Sequence, residues 1–253
     1  MSYSAVKITN TSGTHPVVLV CEHASAFMPT EYNNLGLDKA ILSSHIAWDP
    51  GASQIAQHLS RKFDAVLVEG GVSRLLYDCN RPTHSPTAMP DRSEIYDIPG
   101  NKNLTDTARN MRIQLFYKPF ENTLKQTIAT HSIKPIIITL HSFNPVYNGA
   151  QRNVEIGVLH DSDQRLATAM LSCSDETYNV QRNEPYGPED GVTHTLVQHG
   201  VKNQILNVMI EIRNDLITTT TTQNNMANYL HDWISRSLDT LGVVATPQPQ
   251  GIV

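Results

Sequence analysis

Five short apolar runs constrain this chain more than any other feature: Val17–Cys21, Ala65–Glu69, Pro135–Leu140, Val154–Leu159 and Ile205–Ile210. Each is too short for a buried helix and rich in Val, Ile or Leu, the pattern of a strand covered on both faces. Helical patterns separate them. Ile55, Leu59 and Phe63 recur every four residues after Pro50, which suits the first turn of a helix. A longer helix follows Asn103, with Met111, Leu115, Leu124 and Ile128 as its apolar stripe and Pro119 expected to kink or split it. A last one carries Met226, Leu230, Trp233, Ile234, Leu238 and Leu241 and stops at Gly242. Strands alternating with helices predict an α/β fold with a mostly parallel central sheet.

No repeat or composition break divides the chain, so a single domain over residues 1–253 is the simplest organisation. Two segments are irregular. Asn80–Asn103 holds Pro82, Pro86, Pro90 and Pro99 and is too long for an ordinary connection; its place beside a strand favours an active-site loop over a surface flap. Thr218–Thr222 is a low-complexity turn that offers helix caps, and the tail from Thr246 to Val253 is expected to fray.

The charge balance narrows the partners. With 19 Lys+Arg against 24 Asp+Glu, the net charge of −5 argues against nucleic acid and anionic membrane surfaces and leaves small molecules. No apolar run approaches the roughly 18–20 residues of a membrane span, and Met1–Asn10 lacks the apolar core of a signal peptide. Cys21, Cys79 and Cys173 are an odd number without a CxxC, as a reducing compartment permits. The expectation is a cytoplasmic protein.

Four polar residues sit at or just beyond the carboxyl ends of the expected strands: His23, His141, His160 and Glu211. Open α/β sheets place their ligands at that edge. If the strands are parallel and adjacent, three imidazoles and a carboxylate meet there. Imidazole with carboxylate is the donor set of a catalytic zinc site, which uses three protein ligands and keeps one position open. Any single His could instead cap a strand or bond a backbone carbonyl. His23 and His141 at equivalent positions favour the metal, whereas His160, followed by Asp161 and Ser162, reads as a helix-start loop.

Asp49 precedes Pro50 at the junction into a helix, where it caps free N–H groups or, turned inward, coordinates a cation. Arg74 and Arg81 follow the second run and can fork onto a substrate carboxylate, with solvated arginines as the plainer alternative. Glu211 and Arg213, two residues apart, face one side of an extended strand, so a buried ion pair between them competes with a catalytic Glu211. Cys21 and Ser25 flank His23, but no GxSxG elbow or matched base accompanies them.

The segments VCEHAS (20–25), HIAWDPGA (45–52), SRLLYDCNRP (73–82), IPGN (98–101), LHSFNP (140–145), NEPY (183–186), GVTHTL (191–196) and IEIRNDL (210–216) resemble the N-formylglutamate amidohydrolase family. The likeness runs from about residue 16 to 241 and rests on the order of the motifs rather than on any one of them. It implies a zinc-dependent hydrolase with a three-layer α/β fold similar to zinc carboxypeptidases, a central mixed sheet between helices. The implied reaction is cleavage of N-formyl-L-glutamate to formate and glutamate, a step in histidine breakdown.

The resemblance also implies roles. His23 and His141 look like ligands of a single zinc ion, Glu211 like the catalytic carboxylate, and Asn80 with Arg81 like the pair that holds a substrate carboxylate. There is one departure: where the peptidases take a ligand from HxxE, the third residue after His23 is Ala26, so Asp49 or Glu22 has to supply the third donor. Arg74 or Arg213 is expected to hold a second carboxylate. His194 in GVTHTL is expected to donate into the pocket, although a ring that merely packs at a helix start fits almost as well. Looser homologues of the family leave the acyl group open. Two other classes keep a place: a metal-independent amidase using Cys21 or Ser25, and a non-catalytic ligand-binding homologue that keeps the arginines and lacks the metal site.

Overall fold

The computed structural model describes residues 3–131 and 133–243. Its strands are β1 (Val6–Thr9), β2 (Val17–Cys21), β3 (Val66–Gly70), β4 (Ile136–Phe143), β5 (Ile156–Leu159), β6 (Val180–Arg182) and β7 (Asn207–Arg213). They form one seven-stranded sheet in the order β1-β3-β2-β4-β7-β5-β6. The four strands β3, β2, β4 and β7 run parallel. β1 is antiparallel at one edge, and β5 runs against β7 with β6 parallel to it at the other. The expected mixed, mostly parallel α/β sheet is the one present.

The main helices are α1 (Ala52–Phe63), α2 (Asp106–Arg112), α3 (Lys118–Thr130), α4 (Arg165–Ser172) and α5 (Thr220–Thr240). Period-two alternation along the strands feeds two cores. From β2, Val17, Leu19 and Cys21 join Ile55, Leu59, Leu230 and Trp233, while Val18 and Val20 join Phe116, Phe120 and Leu124 on the opposite face. The sheet is therefore the middle of three layers. Among the described residues, no helix is long and apolar enough to cross a membrane.

Several expectations need correction. β4 and β7 run on to Phe143 and Arg213, because polar His141 and Ser142 keep pairing with Glu211 and Ile212 after the apolar runs end. The edge strands β1 and β6 escape a hydrophobic scan because they are only partly buried. In the helix after Asn103, Met111 is 57% and Leu115 46% exposed, and the buried face carries Ile113, Phe116, Tyr117, Phe120 and Leu124. The cause is a π-helical turn over Ile113–Tyr117, whose larger number of residues per turn moves the stripe out of phase. The last helix follows its expected stripe except at the exposed Leu241. Thr219 caps it through the N–H of Thr222, and Gly242 ends it at φ +69°. The tail Thr246–Val253 lies outside the described residues.

Candidate active site

The carboxyl ends of the four parallel strands face one cavity of about 330 Å³. His23 leaves β2, and its carbonyl accepts the N–H of Asp49 at 3.0 Å, which pins the Asp49 turn beside it. Gly51 then adopts φ +84°, where a Cβ would meet Ile217 Cδ1 at 2.7 Å, so only glycine lets the chain turn there into α1. Asp49 does not cap α1 with its side chain. Its Oδ2 lies 3.2 Å from His23 Nδ1 and 2.8 Å from His141 Nδ1 and accepts the Ser142 N–H at 3.3 Å. His141 on β4 stands in register with Glu211 on β7, and both side chains are directed to the same face.

Each imidazole has a further carboxylate behind it. His23 Nε2 is 2.7 Å from Asp78 Oδ1, and His141 Nε2 is 3.1 Å from Glu22 Oε2, at ion-pair distance but off the hydrogen-bond axis. Both Nδ1 atoms therefore face Asp49, and outer carboxylates are what orient metal-binding imidazoles. One donor atom each of His23, Asp49 and His141 lies within 4.8 Å of the others, and this buried group could hold a metal. Two imidazole nitrogens and one carboxylate oxygen beside a cavity match the donor set of an open zinc site.

Electrostatics follow from burial and neighbours. Burial opposes ionisation of Asp49, yet His23 and His141 hold its carboxyl well below the usual range. Burial also works against a charged His141, but Glu22 and Asp49 keep it well above an ordinary histidine. Glu211 behaves oppositely: burial pushes its carboxyl up to about 7. Its Oε2 has no hydrogen-bond partner among the described residues. A carboxylate that titrates near neutrality with a free oxygen is suited to moving protons.

The remaining expected residues divide sharply. Arg74 lines the cavity but is committed to Asp78 at 2.7 Å and Asp49 at 3.4 Å. Arg81 lines it with a single side-chain hydrogen bond, to the Asn80 carbonyl at 2.9 Å, and no acidic partner among the described residues. Asn80 reaches the wall, but its amide donates to the Val192 carbonyl and accepts the Thr195 N–H, so it fastens that segment. Arg213 is not at the cavity: it pairs with Asp215 and Glu155, which also removes the Glu211–Arg213 ion pair. His194 points to the Tyr117 hydroxyl at 2.9 Å, packs on that ring, and is lowered to about 4 by burial, so the packed reading replaces the donor. His160 lies at the far end of the sheet, because β5 runs against β7; its ring meets Arg182 and the Asp161 carbonyl. Cys21 is fully buried in the α1 core with its thiol pushed up by burial, and the Ser25 hydroxyl accepts the Phe27 N–H.

The segment Asn80–Asn103 does reach the cavity, supplying Thr87, Pro90, Arg92, Ser93 and Glu94. Asn101 anchors it to the carbonyls of Leu75 and Pro90. Asp78 and Arg152 are the site residues that sequence reasoning missed. Asp78 had a signal, standing four residues after Arg74 and two before Asn80; Arg152 had none, since it reaches the cavity from a hairpin after β4.

This architecture is that of an α/β protein that gathers its candidate site at the carboxyl edge of a parallel core. The model of the FGase family, N-formylglutamate amidohydrolase, matches residues 15–218, and the chain belongs to that family. A crystal structure of a gene product from Agrobacterium tumefaciens is 51% identical, with a TM-score of 0.93 over 94% of this chain and 96% of that one. The N-formylglutamate amidohydrolase of Ralstonia eutropha shares the fold at 16% identity, with a TM-score of 0.63 over 95% of this chain and 98% of its own. No curated protein matches the sequence.

Proposed function

We propose that the protein is a zinc-dependent amidohydrolase that removes a formyl or other small acyl group from an acidic amino acid, with N-formyl-L-glutamate giving formate and L-glutamate. The observation that carries this reading is the meeting of the His23–Asp49–His141 group with an unpartnered Glu211 in one cavity. His23, His141 and Asp49 would hold the ion, with Asp78 and Glu22 standing behind the two rings. A zinc ion held there would supply a Lewis acid and a bound water acidified to about pKa 7.

The chain's own residues do the rest. Glu211 takes a proton from the attacking water on its free oxygen and delivers it to the departing nitrogen as the C–N bond breaks. Arg74, held in place by Asp49 and Asp78, donates toward the carbonyl oxygen as negative charge grows there. Arg81 holds the substrate α-carboxylate with the edge of its guanidinium. At about 330 Å³ the cavity is at the small end of ligand pockets, as an amino-acid-sized substrate requires.

The test is formate release from N-formyl-L-glutamate by protein stripped with a chelator and then titrated with zinc. Activity is expected to vanish on stripping and to return in full near one equivalent. Undiminished turnover by the stripped protein, or no turnover of any N-acyl acidic amino acid by the zinc-loaded protein, rejects the reading.

A further inference from the structure

Arg152 is held in the cavity wall by rings rather than by acids. Its guanidinium carbon lies 4.5 Å from the centroid of Tyr147, 4.8 Å from that of Tyr186 and 5.6 Å from that of Phe143. Nη1 donates to the Tyr186 hydroxyl at 3.0 Å and to the Asn144 carbonyl at 3.4 Å, and the backbone N–H closes the hairpin onto the Pro145 carbonyl at 2.7 Å. Among the described residues no carboxylate comes within ion-pair distance, in contrast to Arg74 and Arg213, each of which has two. Stacking fixes the plane of a guanidinium and strips water from its faces while leaving N–H groups on its edge to bind an anion.

Arg81 lies on the segment after β3 and Arg152 on the hairpin after β4, and β2 with His23 stands between those strands in the sheet. Two guanidiniums without acidic partners among the described residues thus enter the cavity from strands on either side of β2. An N-acyl dicarboxylic amino acid branches into three arms at its Cα: the amide, the α-carboxylate and the side-chain carboxylate. With the amide arm at His23 and His141 and the α-carboxylate at Arg81, the third arm needs a cation on the other side.

We propose that Arg152, held against Tyr147 and Tyr186, binds the side-chain carboxylate and makes the enzyme selective for acidic over neutral N-acyl amino acids. This rests on the reading of the site as an N-acyl amino acid hydrolase.

The experiment compares kcat/KM of the zinc-loaded protein for N-formyl-L-glutamate and N-formyl-L-glutamine, with calorimetric binding of L-glutamate and L-glutamine alongside. The native ratio is expected to favour the acid by roughly tenfold to a hundredfold, the worth of a charge-assisted hydrogen bond. In Arg152→Gln the ratio collapses toward one, and Arg152→Lys keeps part of it because the charge stays and the fork is lost. Arg81→Gln lowers kcat/KM for both substrates by similar factors, chiefly through KM. An unchanged ratio in Arg152→Gln with native thermal unfolding overturns the assignment; if that variant unfolds early, an unchanged ratio in Arg152→Lys does so. Selectivity that follows an acid on the acyl group, N-succinyl over N-acetyl alanine, also overturns it. If the native protein cleaves nothing yet binds L-glutamate over L-glutamine through Arg152, the recognition stands and the hydrolytic reading falls. Equal binding of the two overturns the recognition.

Discussion

Glu211→Gln lowers kcat by roughly 10²–10⁴ and leaves both the zinc and the fold in place. The substitution keeps the shape of the side chain and removes its capacity to accept a proton. Metal content should stay full, because the three-donor group is His23, Asp49 and His141, and Glu211 stands outside it. Stability should hold as well: Arg213 has Asp215 and Glu155 as partners, so no guanidinium is orphaned. Turnover, zinc content and thermal unfolding measured on one preparation separate the possibilities. A variant that unfolds early yet turns over at the native rate removes Glu211 from the mechanism. One that is stable and slow but lacks zinc makes it a ligand.

His23→Ala and His141→Ala each reduce zinc content to background, since a three-ligand site deprived of one imidazole does not bind tightly. Metal-free protein should also become less stable. His141→Ala leaves Glu22, whose side chain is fully buried, without its cation, and an uncompensated buried charge costs about 3–5 kcal/mol. His23→Ala does the same to Asp78, partly offset by Arg74. Elemental analysis well below the unfolding temperature keeps the two effects apart. His160→Ala is the internal control: its ring is at the other end of the sheet, so zinc stays. Full zinc in either of the first two variants, or loss of zinc in the third, refutes the ligand assignment.

The residues that were legible in the sequence share a cause. His23 follows one buried parallel strand, and His141 and Glu211 come just after the apolar runs of two others, so an apolar run marks where the polar edge begins. Asp49 was legible only as one of two alternatives, and the choice lies in Gly51, whose left-handed turn frees the carboxylate from the helix end. What the sequence could not carry was direction and assembly. A fully buried strand reads the same whichever way it runs, so nothing in Val154–Leu159 announces that β5 opposes β7 and takes His160 away. Likewise Arg213 has the same parity as Glu211, yet it continues past the cavity to Glu155. The π turn at Ile113–Tyr117 defeats a 3.6-residue count, and with it the expected burial of Met111 and Leu115. Asp78 and Arg152 join the site through loops, where neither periodicity nor strand position speaks.

One measurement bears most directly on the account: anomalous X-ray scattering at the zinc edge from crystals of the zinc-loaded protein. The account predicts a single strong peak at coordination distance, about 2.1 Å, from Nδ1 of His23 and Nδ1 of His141, with Asp49 as the third protein ligand and Glu211 unbonded beside it. A peak held elsewhere, or crystals of an active protein with no peak at these histidines, contradicts it.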